Sequence, residues 1–115
     1  MYGVTDRELK ALKKRIKGDM EFLRGRNVEM SRLIPAVGME LHSIELQNKP
    51  EDEPRVISAI LLAPGVEVDI DYTLHIEGDT SRIGTYSCGN VIQGDETESG
   101  CVRLENGQRY WVPDK

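Results

Sequence analysis

From Val66 to Glu77 apolar and polar residues alternate without a break: Val66, Val68, Ile70, Tyr72, Leu74 and Ile76 point one way, and Glu67, Asp69, Asp71, Thr73, His75 and Glu77 the other. A period of two sustained over this length predicts a strand with one buried and one wet face, the pattern of an antiparallel sheet. The N-terminal part of the chain has a different period. Leu9, Leu12, Ile16, Met20, Leu23, Asn27, Met30 and Ile34 follow one another at intervals of three or four, which sets them in one stripe of an α-helix. Thr5-Asp6-Arg7-Glu8 is a capping box that starts this helix, and Pro35 stops it. Gly18 and Gly25 each cost about 1 kcal/mol against Ala in a helix interior. The stripe therefore reads either as one helix through residue 34 or as a helix broken near Gly25.

After Pro35 the period changes to two. Residues 37–46 predict a first strand, 47–54 a charged loop ending in Pro54, and 55–63 a strand apolar on both faces, with Ile57, Ala59 and Leu61 opposed to Val56, Ile60 and Leu62. Such a strand belongs inside a sheet. Ala63-Pro64-Gly65 turns the chain into the alternating strand, and residues 77–81 turn it out again. At twelve residues the alternating strand is about twice the mean length, so it is expected to bend, carry a bulge, or project as an arm.

The last third carries the most specific local signal. Asn106-Gly107 is a two-residue type I′ hairpin loop, since both residues tolerate the positive φ this turn demands. It sets Arg103 opposite Tyr110, Val102 opposite Trp111 and Cys101 opposite Val112. A second hairpin at Gly94-Asp95 would set Tyr86 opposite Arg103 and Cys88 opposite Cys101. Val102, Leu104 and Trp111 then form the core side. The fold class is α+β: one N-terminal helix followed by a strongly bent antiparallel sheet or small barrel of about six strands.

Composition fits one domain over residues 1–115, with a core of Val, Ile and Leu because only 5% of the chain is aromatic. The net charge of −5 hides a division. Residues 1–32 hold nine Lys/Arg against five Asp/Glu, and the remainder holds six against fifteen. A basic helical segment of residues 1–34 thus precedes an acidic β region of residues 35–115. Charges interrupt every apolar run in the first 34 residues, so neither a signal peptide nor a membrane span is expected, and the expected location is cytoplasmic.

Candidate chemistry is sparse. The predicted registers line up Tyr86, Arg103 and Tyr110, an arginine between two rings that can stack and still offer donors to an anion. With Arg82 and Arg109 nearby in sequence, this row is the candidate site for a nucleotide-like anion. Glu67, Asp69 and Asp71 are spaced about 6.8 Å apart along a strand face, too far to share one cation, so they read as a solvent wall or a docking strip for a basic partner. Cys88 and Cys101 lack the flanking pattern of a zinc site and read as two reduced thiols, with a disulfide between them as the alternative. His42 and His75 have no nucleophile or metal signature beside them. No catalytic residue, cofactor or metal is expected.

The cations Lys10, Lys13, Lys14, Arg15, Lys17, Arg24 and Arg26 form a basic helix that could touch phosphate, but the acidic remainder opposes a duplex and no aromatic residues are interleaved. A continuous helix of residues 6–34 would be about 43 Å long, overhanging a domain of roughly 35 Å. Its stripe of Leu12, Ile16, Met20, Leu23 and Asn27 is then the expected seam of a coiled-coil homo-oligomer; if the helix is broken at Gly25, the stripe instead lies across the chain's own sheet. The function expected from these residues is that of a non-enzymatic inhibitor, adaptor or assembly component of the kind bacteria and their phages make. Capture of a small anion and contact of the basic helix with nucleic acid are the alternatives.

Overall fold

The computed structural model describes residues 4–25, 38–49, 51, 53–78 and 80–114. Its elements are α1 (Asp6–Gly25), β1 (Glu40–Leu46), β2 (Arg55–Ala63), β3 (Val66–Glu77), β4 (Thr80–Ile83), β5 (Tyr86–Gln93), β6 (Glu96–Glu105) and β7 (Gln108–Pro113). The capping box forms as the sequence predicts: the Glu8 amide donates to Thr5 Oγ1 at 3.1 Å and the Thr5 amide to Glu8 Oε1 at 3.0 Å. Whether the helix expected through residue 34 continues past Gly25 is a reading that, with Arg26, Asn27, Met30 and Ile34, lies outside the described residues.

All strand pairs are antiparallel, in the order β1-β2-β3-β5-β6-β7, with β4 also on β3. Among the described residues the sheet has seven strands and is not closed into a barrel. The hairpin registers are those read from the sequence, with Asn106 and Gly107 at φ of 53° and 77° and Gly94 at 60°.

The long strand β3 is the spine of the sheet, not an arm. One of its edges pairs with β2 along Val66 to Leu74, and the other takes β5 and then β4. Between the partners Leu74↔Ile83 and Asp71↔Cys88 the spine advances three residues while the opposing chain advances five. The extra length bulges out at Gly84 and Thr85, so the bulge expected in β3 lies in its neighbour.

Helix α1 covers one face of the sheet. Leu12, Ile16 and Leu23 are buried in one cluster with Ile57, Ala59, Leu61, Val68, Ile70, Tyr72, Leu74, Val91 and Val102, and Leu9, Met20 and Trp111 pack against it. The stripe expected to form a seam between copies is thus occupied by the protein's own sheet. Apolar residues recur on that helix face every three or four positions and on each strand every second position because these are the two ways a chain can present one side to a shared core.

Candidate functional site

The opposite face of the sheet is open among the described residues. Strand alternation places Glu40, Ser43 and Glu45 of β1 there, with Val56, Ser58, Ile60 and Leu62 of β2 and Glu67, Asp69 and Asp71 of β3. Across β5, β6 and β7 the same face carries Cys88, Asn90, Ser99, Cys101 and Val112 together with the row Tyr86–Arg103–Tyr110. None of these side chains is buried. The sequence reading treated the carboxylate strip and the tyrosine–arginine row as separate candidates, and the sheet brings them onto one surface.

Charge and apolar area alternate across this face. Val56, Ile60 and Leu62 form a partly exposed apolar strip between the carboxylates of β1 and those of β3. The strand expected to be buried on both sides is interior to the sheet, yet its outer side meets solvent. Glu67 and Asp69 lie together on β3, and a hydrogen bond and charge repulsion from Asp69 hold the Glu67 carboxyl above the usual carboxylate range, with His42 opposing. One oxygen of Asp69, Oδ1, is buried without a hydrogen-bond partner. Asp71 accepts a short hydrogen bond from Ser58.

In the tyrosine row the Arg103 guanidinium lies 5.8 Å from the centroid of the Tyr86 ring and pairs with Glu105. Tyr110 donates to Gln108 Oε1 at 2.6 Å. Both rings remain nearly half exposed, at 48% and 46%. Beside the row, Cys88 and Cys101 are joined in a disulfide, where two reduced thiols were expected from the sequence. The predicted register had set them opposite one another, and close apposition on neighbouring strands is what lets the bond form.

The other two arginines assigned to the anion site are elsewhere. Arg82 sits on β4 opposite His75 and pairs with Glu77 at 2.5 Å. Arg109 pairs with Leu104, which turns it to the helix side of the sheet, where its Nε donates to Asp19 Oδ1 at 2.7 Å.

That contact belongs to an interior network which sequence reasoning missed. Asp19 is fully buried and also accepts from the Tyr72 hydroxyl at 2.7 Å, while Arg15 Nε approaches it at 3.5 Å. Arg15, expected on the solvated basic face, is itself buried, and its guanidinium donates to Gly84 O at 3.0 Å, Thr85 O at 3.2 Å and Ser87 Oγ at 3.0 Å. The Gly84 carbonyl lies in the interior at the β4–β5 bulge, where Arg15 satisfies it, while the Thr85 carbonyl also accepts from the Leu104 amide at 2.8 Å. Burial, the charge of Asp19 and the bond to it push the Tyr72 hydroxyl far above its ordinary value. The signal was present: Asp19 lies three residues after Ile16 and four before Leu23, on the apolar stripe itself.

One cavity of about 540 Å³ lies between the first turn of α1 and the β3–β4 hairpin. The described residues hold no group of three or more His, Cys, Asp and Glu that could bind a metal ion, and no described helix is long and apolar enough to cross a membrane. Comparison with protein-family models, curated proteins and solved structures found no match.

Proposed function

We propose that the chain is a non-enzymatic interaction protein whose open sheet face docks a basic, amphipathic segment of a protein partner, in the role of inhibitor, adaptor or assembly component. The observation that supports this is the composition of one sheet face that no described residue covers: an apolar strip between two rows of carboxylates, continued by two exposed tyrosines. Carboxylates on either side of an apolar strip suit a segment with an apolar stripe and flanking lysines or arginines. Tyrosine rings add contact area at low entropic cost and accept cations on their faces.

Capture of a free anion at the tyrosine row is the weaker reading. Arg103 is already paired with Glu105, and neither Arg82 nor Arg109 stands beside it. The basic face of α1, where Lys10, Lys13, Lys14 and Lys17 are exposed, supports nucleic-acid contact less well, because it has no aromatic residue among the cations.

Titration of the full chain with an amphipathic lysine-rich peptide, followed by amide chemical shifts, tests the proposal. Shifts confined to the outer residues of β1, β2, β3 and β5–β7, weakening as salt is raised, are expected. Absence of binding at low salt, or shifts confined to α1, would refute it.

A further inference from the structure

We infer that the cleft between α1 and the β3–β4 hairpin is a binding site for an amphiphilic monoanion, an alkyl chain ending in a carboxylate or phosphate. Its volume of about 540 Å³ is in the range of small-molecule sites. The lining divides by chemistry: Ala11, Leu74, Ile76 and Ile83 supply an apolar floor, and the rim carries Arg7, Arg82 and the Glu8 carboxylate, with the hydroxyls of Thr5, Thr80 and Ser81 bonded to Glu8 or to the Glu77 carbonyl.

Ile76 carries the argument for an apolar guest. It belongs to the alternating set of β3 that faces the helix, in which Val66, Val68, Ile70, Tyr72 and Leu74 are all buried, yet Ile76 is 38% exposed. The sheet's core face runs on past the first turn of α1, and the cleft is the space left over it. The rim favours a negative head. Glu8 is engaged by the Thr5 amide and by Arg55 at 3.0 Å, and Glu77 by Arg82. Arg7 is exposed and has no ion-pair partner among the described residues. Glu77 takes Nε of Arg82, so an anionic head would bind Arg7 first and reach only the terminal nitrogens of Arg82, gaining charge-assisted hydrogen bonds while its chain covers Ile76.

Calorimetric titration of the full chain with octanoate and with octyl phosphate, alongside octanol and acetate as tail-only and head-only probes, tests this. Saturable binding of at least one amphiphile is expected, with amide shifts at Ala11, Leu74, Ile76 and Ile83, and octanol and acetate should bind far more weakly. Preference for one amphiphile over the other identifies the head. Arg7→Gln with Arg82→Gln, both at exposed positions and with the fold checked by circular dichroism, should weaken binding by about tenfold or more. The inference is overturned if neither amphiphile saturates, if the shifts fall on the open sheet face, or if the double variant binds as the parent does.

Discussion

Tyr72 and Asp19 are 53 residues apart in the chain and meet in the interior, where the tyrosine hydroxyl donates to the carboxylate at 2.7 Å and neither side chain reaches solvent. The bond ties the helix to the spine of the sheet. Asp19 also takes Arg109 from β7, so one buried carboxylate joins the helix to β3 and β7, and Arg15 beside it joins the helix to the β4–β5 bulge. A buried charge of this kind is tolerable only while its partners remain.

Replacement of Asp19 by Ala is therefore expected to cost about 3–5 kcal/mol, because it leaves two arginine side chains at a buried site without a counter-charge. Asp19→Asn, which keeps an acceptor but not the charge, should cost less. Urea unfolding of the three proteins checks the order. Equal stability of Asp19→Ala and the parent would show that the network contributes nothing.

The same bond predicts how stability depends on alkaline pH. The Tyr72 hydroxyl is held above its ordinary value of about 10 when folded, so the folded state keeps a proton that the unfolded state releases. Its contribution is fully present below about pH 10 and declines as pH rises above that value. Tyr72→Phe should lose about 1.5–3 kcal/mol at neutral pH from the missing bond to a charged acceptor. The parent's advantage over Tyr72→Phe should then shrink above pH 10. Parallel stability curves for the two proteins through that range would contradict the assignment.

Much of the sheet was legible because its register depends on local chemistry. Asn106-Gly107 permits only a tight turn, and every cross-strand pair from Glu105↔Gln108 to Cys101↔Val112 follows from it. The same register should have placed Arg109 on the core side, since it lies opposite Leu104 beside Val102 and Trp111, but it was chosen as a ligand contact for its charge alone. In the sequence Asp19 reads as an interruption of the apolar stripe, and Arg15 as one more cation of the basic helix face. Their partners, Tyr72, Arg109 and the Gly84 and Thr85 carbonyls, lie too far away in sequence for any local pattern to pair them. The bulge was hidden for a related reason: Gly84-Thr85 looks like an ordinary turn until β3 is seen to pair with strands on both sides of it.

Gly18 offers a sharper test. An exposed glycine within a helix gains about 1 kcal/mol on replacement by Ala. Here a Cβ would overlap the Arg109 guanidinium, whose Cζ would lie 2.7 Å away, and would push it off Asp19. Loss of a charged hydrogen bond, about 1.5–3 kcal/mol, outweighs the helical gain. Gly18→Ala should be destabilising by about 1 kcal/mol on balance. A rise in melting temperature would mean that Arg109 is not fixed there.

Leu12 and Leu23 separate core from interface. Both are buried against the sheet, at 1% and 4% exposure, so Leu12→Asp with Leu23→Asp should unfold the chain. Light scattering together with circular dichroism distinguishes the outcomes. A folded double variant of lower mass than the parent would restore the helix stripe as a seam between copies.

The tyrosine–arginine row should behave in the opposite way, with little effect on stability and a large effect on docking. A cation–π contact at an exposed site is worth about 0.5–1 kcal/mol, and an exposed ion pair such as Arg103–Glu105 about 0–1 kcal/mol. Tyr86 and Tyr110 leave nearly half their surface in water, so truncating them opens no cavity in the core that α1 covers. Tyr86→Ala with Tyr110→Ala should therefore leave the unfolding midpoint within a few degrees of the parent, a shift of about 1 kcal/mol or less for a chain of this size. Exposed rings that contribute this little to folding can be spent on recognition, and their removal should weaken a basic peptide's binding by at least about tenfold. Measuring both quantities on the same double variant decides between roles. A large loss of stability would make the row part of the fold, and unchanged peptide affinity would confine docking to the carboxylates and the apolar strip of β1–β3.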